Sequence, residues 1–362
     1  MDKELRRWFV DQAQARQLRV EKDRNANLWA MMGDTDASGI VAVGSHLDSV
    51  ADGGAFDGPL GLASAFAALD LLDQQGLRPS RPIAVVAFTE EEGARFGVAC
   101  LGSKLLTGAI EPDRARSLTD TDGVTLPQAM IDAGEDPSLL GADPSLVARL
   151  HSYVELHIEQ GRALVDLESP VAIGSEIWPH GRWRLDFHGE SNHAGTTRME
   201  DRDDPMEGFA TTVLRVLDTA RSHGSRATIG RVHVTPNSTN SIPSRVTAWL
   251  DARAATEEGL EALVTSVGDA ATISPESVTP RVEFDRELRD RLAALLGGVP
   301  VLPTAAGHDA GVLSSAGVAS AMIFVRNPTG VSHSPAEDAT PEDCIVGAES
   351  LARVLADLGD FK

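Results

Sequence analysis

Side chains able to bind a metal or move a proton cluster at four points of this 362-residue chain. The first is 41–61, VAVGSHLDSVADGGAFDGPLG, where an apolar strand runs into His46, Asp48 and, after a glycine-rich turn, Asp57. His46 and Asp48 fall at or just beyond the C-terminal end of that strand, where open α/β sheets place their chemistry. Two residues apart in extended chain, they share a face. A metal-binding imidazole donates its other N–H to a carboxylate, which makes Asp48 the candidate partner of His46. Gly53 and Gly54 let the backbone turn back and bring Asp57 towards His46. The competing interpretation of this pattern is a solvated acidic loop.

The second point is the apolar run PIAVVAF, which leads into Glu90, Glu91 and Glu92. Three glutamates can be merely the wet start of a loop. Beside a histidine-bearing turn, one could equally bind metal while its neighbour serves as general base. The third is YVELHIEQG at 153–161, with His157 between Glu155 and Glu159, a strand histidine that is either structural or a ligand. The fourth lies in the last part of the chain, where AAGHDAG (305–311) and GVSHSPAED (330–338) follow one another and His333 sits just past an apolar strand. Taken together, His46, Asp57, Glu92, His157 and His333 all fall near strand ends. Three imidazoles and two carboxylates suit a pair of divalent transition ions, with one carboxylate bridging ions about 3.5–4 Å apart. Cys100 and Cys344 are the only cysteines and form no CxxC pair, so thiolate metal sites and a disulfide framework are excluded.

The elements that must position these residues alternate between strand and helix. A partly amphipathic helix is predicted over 1–18, then strands at 26–32 and 40–44 around the turn GDTDASG, a helix at 60–76 and a strand at 81–89. A short helix follows at 101–106, then a polar helical stretch over 111–149 with turns at Asp136-Pro137 and Asp143-Pro144. The third motif strand comes next. Around 172–177 the chain is expected to cross into a second domain. Trp183, Leu185 and Phe187 share one face of a strand there, and GESNHAGTTRMEDRDDP, a helix at 205–222, strands at 226–235 and 245–253, a helix at 256–272 and a strand at 279–285 follow. This β-β-α-β-β-α layer has α+β character. The final part returns to helix, a strand at 321–325 and a helix at 341–358. The expected fold is α/β: a catalytic domain with a mixed, mostly parallel sheet and flanking helices, plus an inserted smaller α+β lid and dimerisation domain. The expected division is 1–173, 174–285 and 286–362.

Length is ample for a large core, and the 42% apolar and 24% charged content is that of a globular protein. The formal net charge is −22, which argues against nucleic acid or an anionic membrane surface as partner. No apolar stretch approaches a membrane span and the N-terminus has no apolar signal core, so a cytoplasmic location is the expectation. The first motif strand comes early for an α/β domain, so the true start is expected to lie upstream.

The motifs GSHLDSV, GGAFDGPLG, FTEEEGARFG, ELHIEQG, NHAGTTRM, NSIPS with LDAR, GHDAG and SHSPAED run along nearly the whole chain. In this combination the chain resembles the dinuclear-metal aminoacylase and carboxypeptidase-type metallopeptidase family, in its branch of N-carbamoyl-L-amino-acid hydrolases, β-ureidopropionases and allantoate amidohydrolases. The resemblance implies that His46 and His157 hold one metal, Glu92 and His333 the other, and that Asp57 bridges them with Glu91 as general base. His157, where the peptidase branches have a carboxylate, points to the amidohydrolase branch. The resemblance further implies that the second domain closes over the site and forms a homodimer, with His193 stabilising the oxyanion in the partner's site and Asn240 and Arg253 fixing the substrate. Gln160 and His308 are further substrate-contact candidates. Two departures stand out: the region before the first motif and the segment between LDAR and GHDAG are both shorter than the family's.

The implied activity is hydrolysis of a carbamoyl or ureido C–N bond on a small carboxylate substrate, using two divalent ions (zinc, or manganese, cobalt or nickel). An N-acyl amino acid deacylase or dipeptidase on the same metals is the alternative among enzymes, and a noncatalytic ureido-binding protein the alternative outside them.

Overall fold

The computed structural model describes residues 2–34 and 37–362. Thr35 and Asp36 of the expected GDTDASG turn lie outside the described residues. The chain separates into two compact units: an inserted one, Ile177–Val282, and a larger one formed by the residues up to Glu176 together with Glu283–Lys362. In the larger unit the chain first forms β1 (Arg19–Lys22), β2 (Leu28–Met32), β3 (Ile40–His46), β4 (Ile83–Phe88), β5 (Leu150–Ile158) and β6 (Val171–Ile177). The insertion adds β7 (His180–His188), β8 (Asn192–His193), β9 (Arg226–Thr235), β10 (Ser241–Ile242), β11 (Arg245–Arg253) and β12 (Thr272–Thr279). The remainder supplies β13 (Val282–Glu283), β14 (Val301–Thr304) and β15 (Ala319–Val325).

The large sheet has the order β1-β2-β4-β3-β5-β15-β6-β13, with β14 also paired to β6. Its middle, β4-β3-β5-β15, is parallel throughout, while β1, β2 and β6 pair antiparallel at the margins. Parallel strands are covered on both faces, so they read as unbroken apolar runs. IAVVAF of β4 and IVAVGSH of β3 are buried at every position. For the same reason β5 is buried almost end to end.

Helix Pro59–Gln74 packs with helix Pro341–Leu358, and Leu62, Leu69, Leu351 and Leu355 lie in the same buried core. Each such side chain contributes about 1.5–3 kcal/mol by leaving water. Helices Leu101–Thr107 and Asp309–Ser315 pack against one another, and the second also lies on β15.

The inserted unit is a four-stranded antiparallel sheet, β12-β7-β11-β9, with helices Pro205–Ser222 and Glu257–Thr265, and its sheet strands and helices succeed one another as βαββαβ, as in ferredoxin-like layers, where β-β-α-β-β-α was expected. Trp183, Leu185 and Phe187 do share its buried face, with Val246, Ala248 and Leu250 opposite. Two further expectations fail here. The helix expected to reach 272 ends at Thr265, and Gly268, with φ of 69°, then turns the chain. The last strand is Thr272–Thr279 rather than 279–285. It takes an edge position, where the irregular pairing around Pro275 is tolerated because the proline lacks a ladder donor. Among the described residues no helix is long and apolar enough to cross a membrane.

Candidate metal centre

Four adjacent parallel strands end on one edge of the large sheet, and each delivers part of the site. His46 closes β3, Glu91 and Glu92 follow β4, His157 lies one residue from the end of β5, and His333 is in the loop after β15. Gly44 pairs with Glu155, two residues before each of the two strand histidines, so the ladder itself brings His46 and His157 together. Asp57 comes from the turn between β3 and helix Pro59–Gln74. Gly58 follows it at φ of 86°, in contact with the His46 ring.

The two strand imidazoles are oriented by the backbone. His46 Nδ1 lies 3.0 Å from the Asp48 carbonyl oxygen and His157 Nδ1 lies 2.9 Å from that of Ile158, so each Nδ1 carries the proton and each Nε2 offers a lone pair. Those Nε2 atoms are 3.5 Å apart and sit 3.3 and 3.1 Å from Asp57 Oδ1. The other oxygen, Asp57 Oδ2, is 3.3 Å from His333 Nε2, which is 3.3 Å from Glu92 Oε2. Asp57 therefore faces two ligand groups at once, His46 with His157 on Oδ1 and Glu92 with His333 on Oδ2. The first group is buried. In the second, Glu92 is half-buried and His333 exposed, with a left-handed backbone (φ 54°) that histidine adopts more readily than most residues.

Converging acceptors make this arrangement unfavourable without positive charge. Burial alone would raise the Asp57 carboxyl, yet hydrogen bonding to His157, His333 and His46 holds it far below the usual carboxylate range. Burial would lower His46, but the carboxylates of Glu91, Asp57 and Asp48 push it well above the ordinary imidazole value. Protons on the imidazoles and a bound cation are two solutions to the same excess of lone pairs.

Asp48 adjoins His46, but its role differs from the expected one. The imidazole meets the Asp48 main-chain oxygen, while the carboxylate stands 3.8 Å off and accepts the backbone N–H groups of Glu91 (3.1 Å) and Glu92 (3.0 Å). A side chain two residues on in extended chain shares a face with the ring. Here the chain leaves the strand at His46 and the carboxylate reaches across to the end of β4.

Glu91 is buried and its two oxygens meet different surroundings. Oε1 lies 3.5 Å from the Cys100 sulfur and 4.0 Å from His308 Nδ1, whereas Oε2 is 4.0 Å from His46 Nε2. Burial, reinforced by Asp309, Glu155 and Asp48 and opposed by His46, holds the Glu91 carboxyl well above the usual range. Gln160 Nε2 donates to Asp57 Oδ2 at 2.9 Å, which puts this expected substrate contact directly on the His333 side of the cluster. His308 is buried with its ring 4.6 Å from that of His157.

His193, Asn240 and Arg253 belong to the inserted unit. His193 and Asn240 share the ribbon β8-β10, where Ser241 pairs with His193 and the Asn240 carbonyl accepts the Ala194 N–H. His193 is exposed, and its Nδ1 accepts N–H groups from Gly195 (3.0 Å) and Thr196 (3.2 Å), so the ring proton resides on Nε2. Arg253 is half-buried. Its fork meets Asp251, Nε to Oδ1 at 2.8 Å and Nη2 to Oδ2 at 3.2 Å.

The chain matches the peptidase family M20/M25/M40 over residues 42–357. It belongs to that family. An N-carbamoyl-L-amino acid amidohydrolase from Geobacillus stearothermophilus is 39% identical over 328 residues, covering 86% of this chain and 80% of the relative. The allantoate amidohydrolase of Escherichia coli K12 is 31% identical, covering 98% and 90%. Among solved structures, an amidase of the hydantoinase/carbamoylase family from Burkholderia vietnamiensis superposes with a TM-score of 0.88 at 28% identity, over 99% of this chain and 90% of that one.

Enzymes of the M20/M25/M40 family use divalent metals, and the donor set of this member fits them. Two imidazole lone pairs and a carboxylate oxygen point at one another, and Glu92 Oε1 is buried with no hydrogen-bond partner among the described residues. Several supporting residues of this family member escaped the reading of its sequence. Glu155 accepts the Ser45 hydroxyl (3.2 Å) and the Ala310 N–H (2.9 Å), anchoring GHDAG beneath the site. Its position two residues before His157 on the same strand face was the available signal. Glu337 accepts the N–H groups of Phe56 and Asp57, and its place within SHSPAED was the only hint.

Proposed function

We propose that this chain is a metal-dependent amidohydrolase that cleaves the C–N bond of a carbamoyl or ureido group on a small carboxylate substrate, an N-carbamoyl-L-amino acid or allantoate. The observation that carries this is the facing pair His46 Nε2 and His157 Nε2 on Asp57 Oδ1, with Glu91 Oε2 beside them. In this reading His46 and His157 would hold one divalent ion and Glu92 and His333 a second, with Asp57 contributing to both groups. Zinc, manganese, cobalt and nickel all suit such nitrogen and oxygen donors. When bound, the ions would polarise the scissile carbonyl and acidify water.

Glu91 moves the protons. Its buried carboxylate takes one from the attacking water at Oε2 and returns it to the departing nitrogen, and the raised affinity of this carboxyl for protons suits a group that must both accept and donate. His193 would donate its Nε2 proton to the oxyanion, a role supported by the fixed tautomer. Asn240, Arg253, Gln160 and His308 would hold the substrate, with Arg253 taking the carboxylate by its fork. The inserted unit would act as lid and dimerisation domain, with His193 serving the partner's site. A cytoplasmic setting accords with two free cysteines.

The deciding experiment loads metal-free protein with each ion and measures ammonia from N-carbamoyl amino acids and allantoate against amine from N-acetyl amino acids and dipeptides. Ammonia release is expected. Amine release alone would move the assignment to a deacylase or dipeptidase, and binding without turnover would make the chain a noncatalytic receptor.

A further inference from the structure

The two halves of the cluster are held differently. His46 and His157 ride on buried strands, each with Nδ1 tied to a main-chain oxygen. Asp57 and His333 both sit on loops, and His333 is exposed. We infer that Glu337 is the positioning residue that clamps the Asp57 turn to the His333 loop and so holds the Glu92–His333 half of the metal pair. This inference rests on the two-metal reading above.

Glu337 is buried, and among the described residues the hydrogen bonds of its carboxylate lead to these two loops. Its Oε2 accepts the N–H groups of Phe56 (3.1 Å) and Asp57 (3.0 Å), and its Oε1 accepts the hydroxyl of Ser332 (2.9 Å), the residue before His333. The Ser332 hydroxyl also lies 3.3 Å from Asp57 Oδ2, the oxygen that faces His333. One carboxylate thus joins main chain and side chain across 280 residues of sequence. A carboxylate is suited to this because all its partners are donors and it is acceptor-only, whereas an amide would turn an N–H₂ towards one of them. Gly54 provides the space, since a Cβ there would come 2.1 Å from Glu337 Oε2. The plainer role, satisfying two turn N–H groups, would make Glu337 matter for stability alone and weaken both halves of the metal pair together.

The test counts zinc ions retained per chain in metal-buffered dialysis, with circular dichroism melts of the metal-free proteins, for wild type, Glu337→Ala, Glu337→Gln and Ser332→Ala. For Glu337→Ala we expect the first ion to bind as in wild type and the second about 10–100-fold more weakly, the range for loss of a group that orients a ligand. Glu337→Gln should fall between, and Ser332→Ala should show the same selective loss to a smaller degree. Ser332→Ala keeps the inference open to refutation if Glu337→Ala fails to fold. Unchanged affinity for both ions, or equal weakening of both, overturns it. A wild-type protein that binds no second ion would overturn the two-metal reading itself, and this inference with it.

Discussion

At the scale of single residues, the proposal separates the groups assigned to hold cations from Glu91, the one assigned to move protons. Glu91 and Glu92 are neighbours in the chain, yet Glu92 faces His333 while Glu91 lies in a buried pocket against Cys100 and His308. Backbone contacts to Asp48 fix both N–H groups and so decide how the two side chains diverge. Replacing Glu91 by Gln keeps the shape and removes the proton acceptor. Turnover should fall about 10²–10⁴-fold with metal content and KM near wild type. Steady-state kinetics with metal analysis of the same samples check this, and loss of metal in parallel with activity would make Glu91 a ligand instead. Neither role is visible in the string EEE alone. An apolar strand running into acid predicts a strand end, but which glutamate turns inward depends on a loop closed by Cys100, whose N–H bonds the Glu91 carbonyl.

At the scale of elements, the catalytic edge exists because four neighbouring strands are parallel and end together. The turn after β3 brings Asp57 back under His46 only with glycine at 58, where φ is 86° and a Cβ would lie 2.6 Å from the imidazole. Gly58→Ala should therefore push the His46 ring off its position and lower bound metal at fixed free-ion concentration, with the far-ultraviolet circular dichroism spectrum retained. Full metal occupancy in that variant would show that the turn has slack. In the inserted sheet, Asp251 is the acceptor shared by Arg253 and Arg182. Burial would raise its carboxyl, but those two guanidinium groups hold it below the usual range. A folded-state value below the unfolded one stabilises the protein above the unfolded value and is lost as pH falls through the folded one. Thermal melts of wild type and Asp251→Asn should thus differ most above about pH 5 and draw together as pH falls below about 3.9, where an unperturbed aspartate titrates. A gap that widens on acidification would contradict this.

For the whole molecule, the informative question is whether one chain suffices. The proposed homodimer assigns His193 to the partner's site. His193→Ala alone should lose about 10²–10³ in turnover, the usual effect of removing an oxyanion donor, with metal unchanged. Mixing that variant with Glu91→Gln, after dissociation and reassociation, should restore about a quarter of wild-type activity, because half the dimers are mixed and each has one intact site. No recovery would place His193 in its own chain's site or outside the reaction.

Residue types and spacing alone determined the α/β class, the apolar strands and the five side chains that converge at the sheet edge, because buried parallel strands must be apolar and chemistry must wait until they end. The same string misplaced the last strand of the insertion, where Gly268 and Pro275 overrode periodicity. It also paired His46 with the Asp48 carboxylate instead of its main-chain oxygen and left Glu337 and Glu155 without a task. Those assignments depend on contacts between residues as much as 281 positions apart, such as Glu337 with Phe56, and only chain folding in three dimensions creates them.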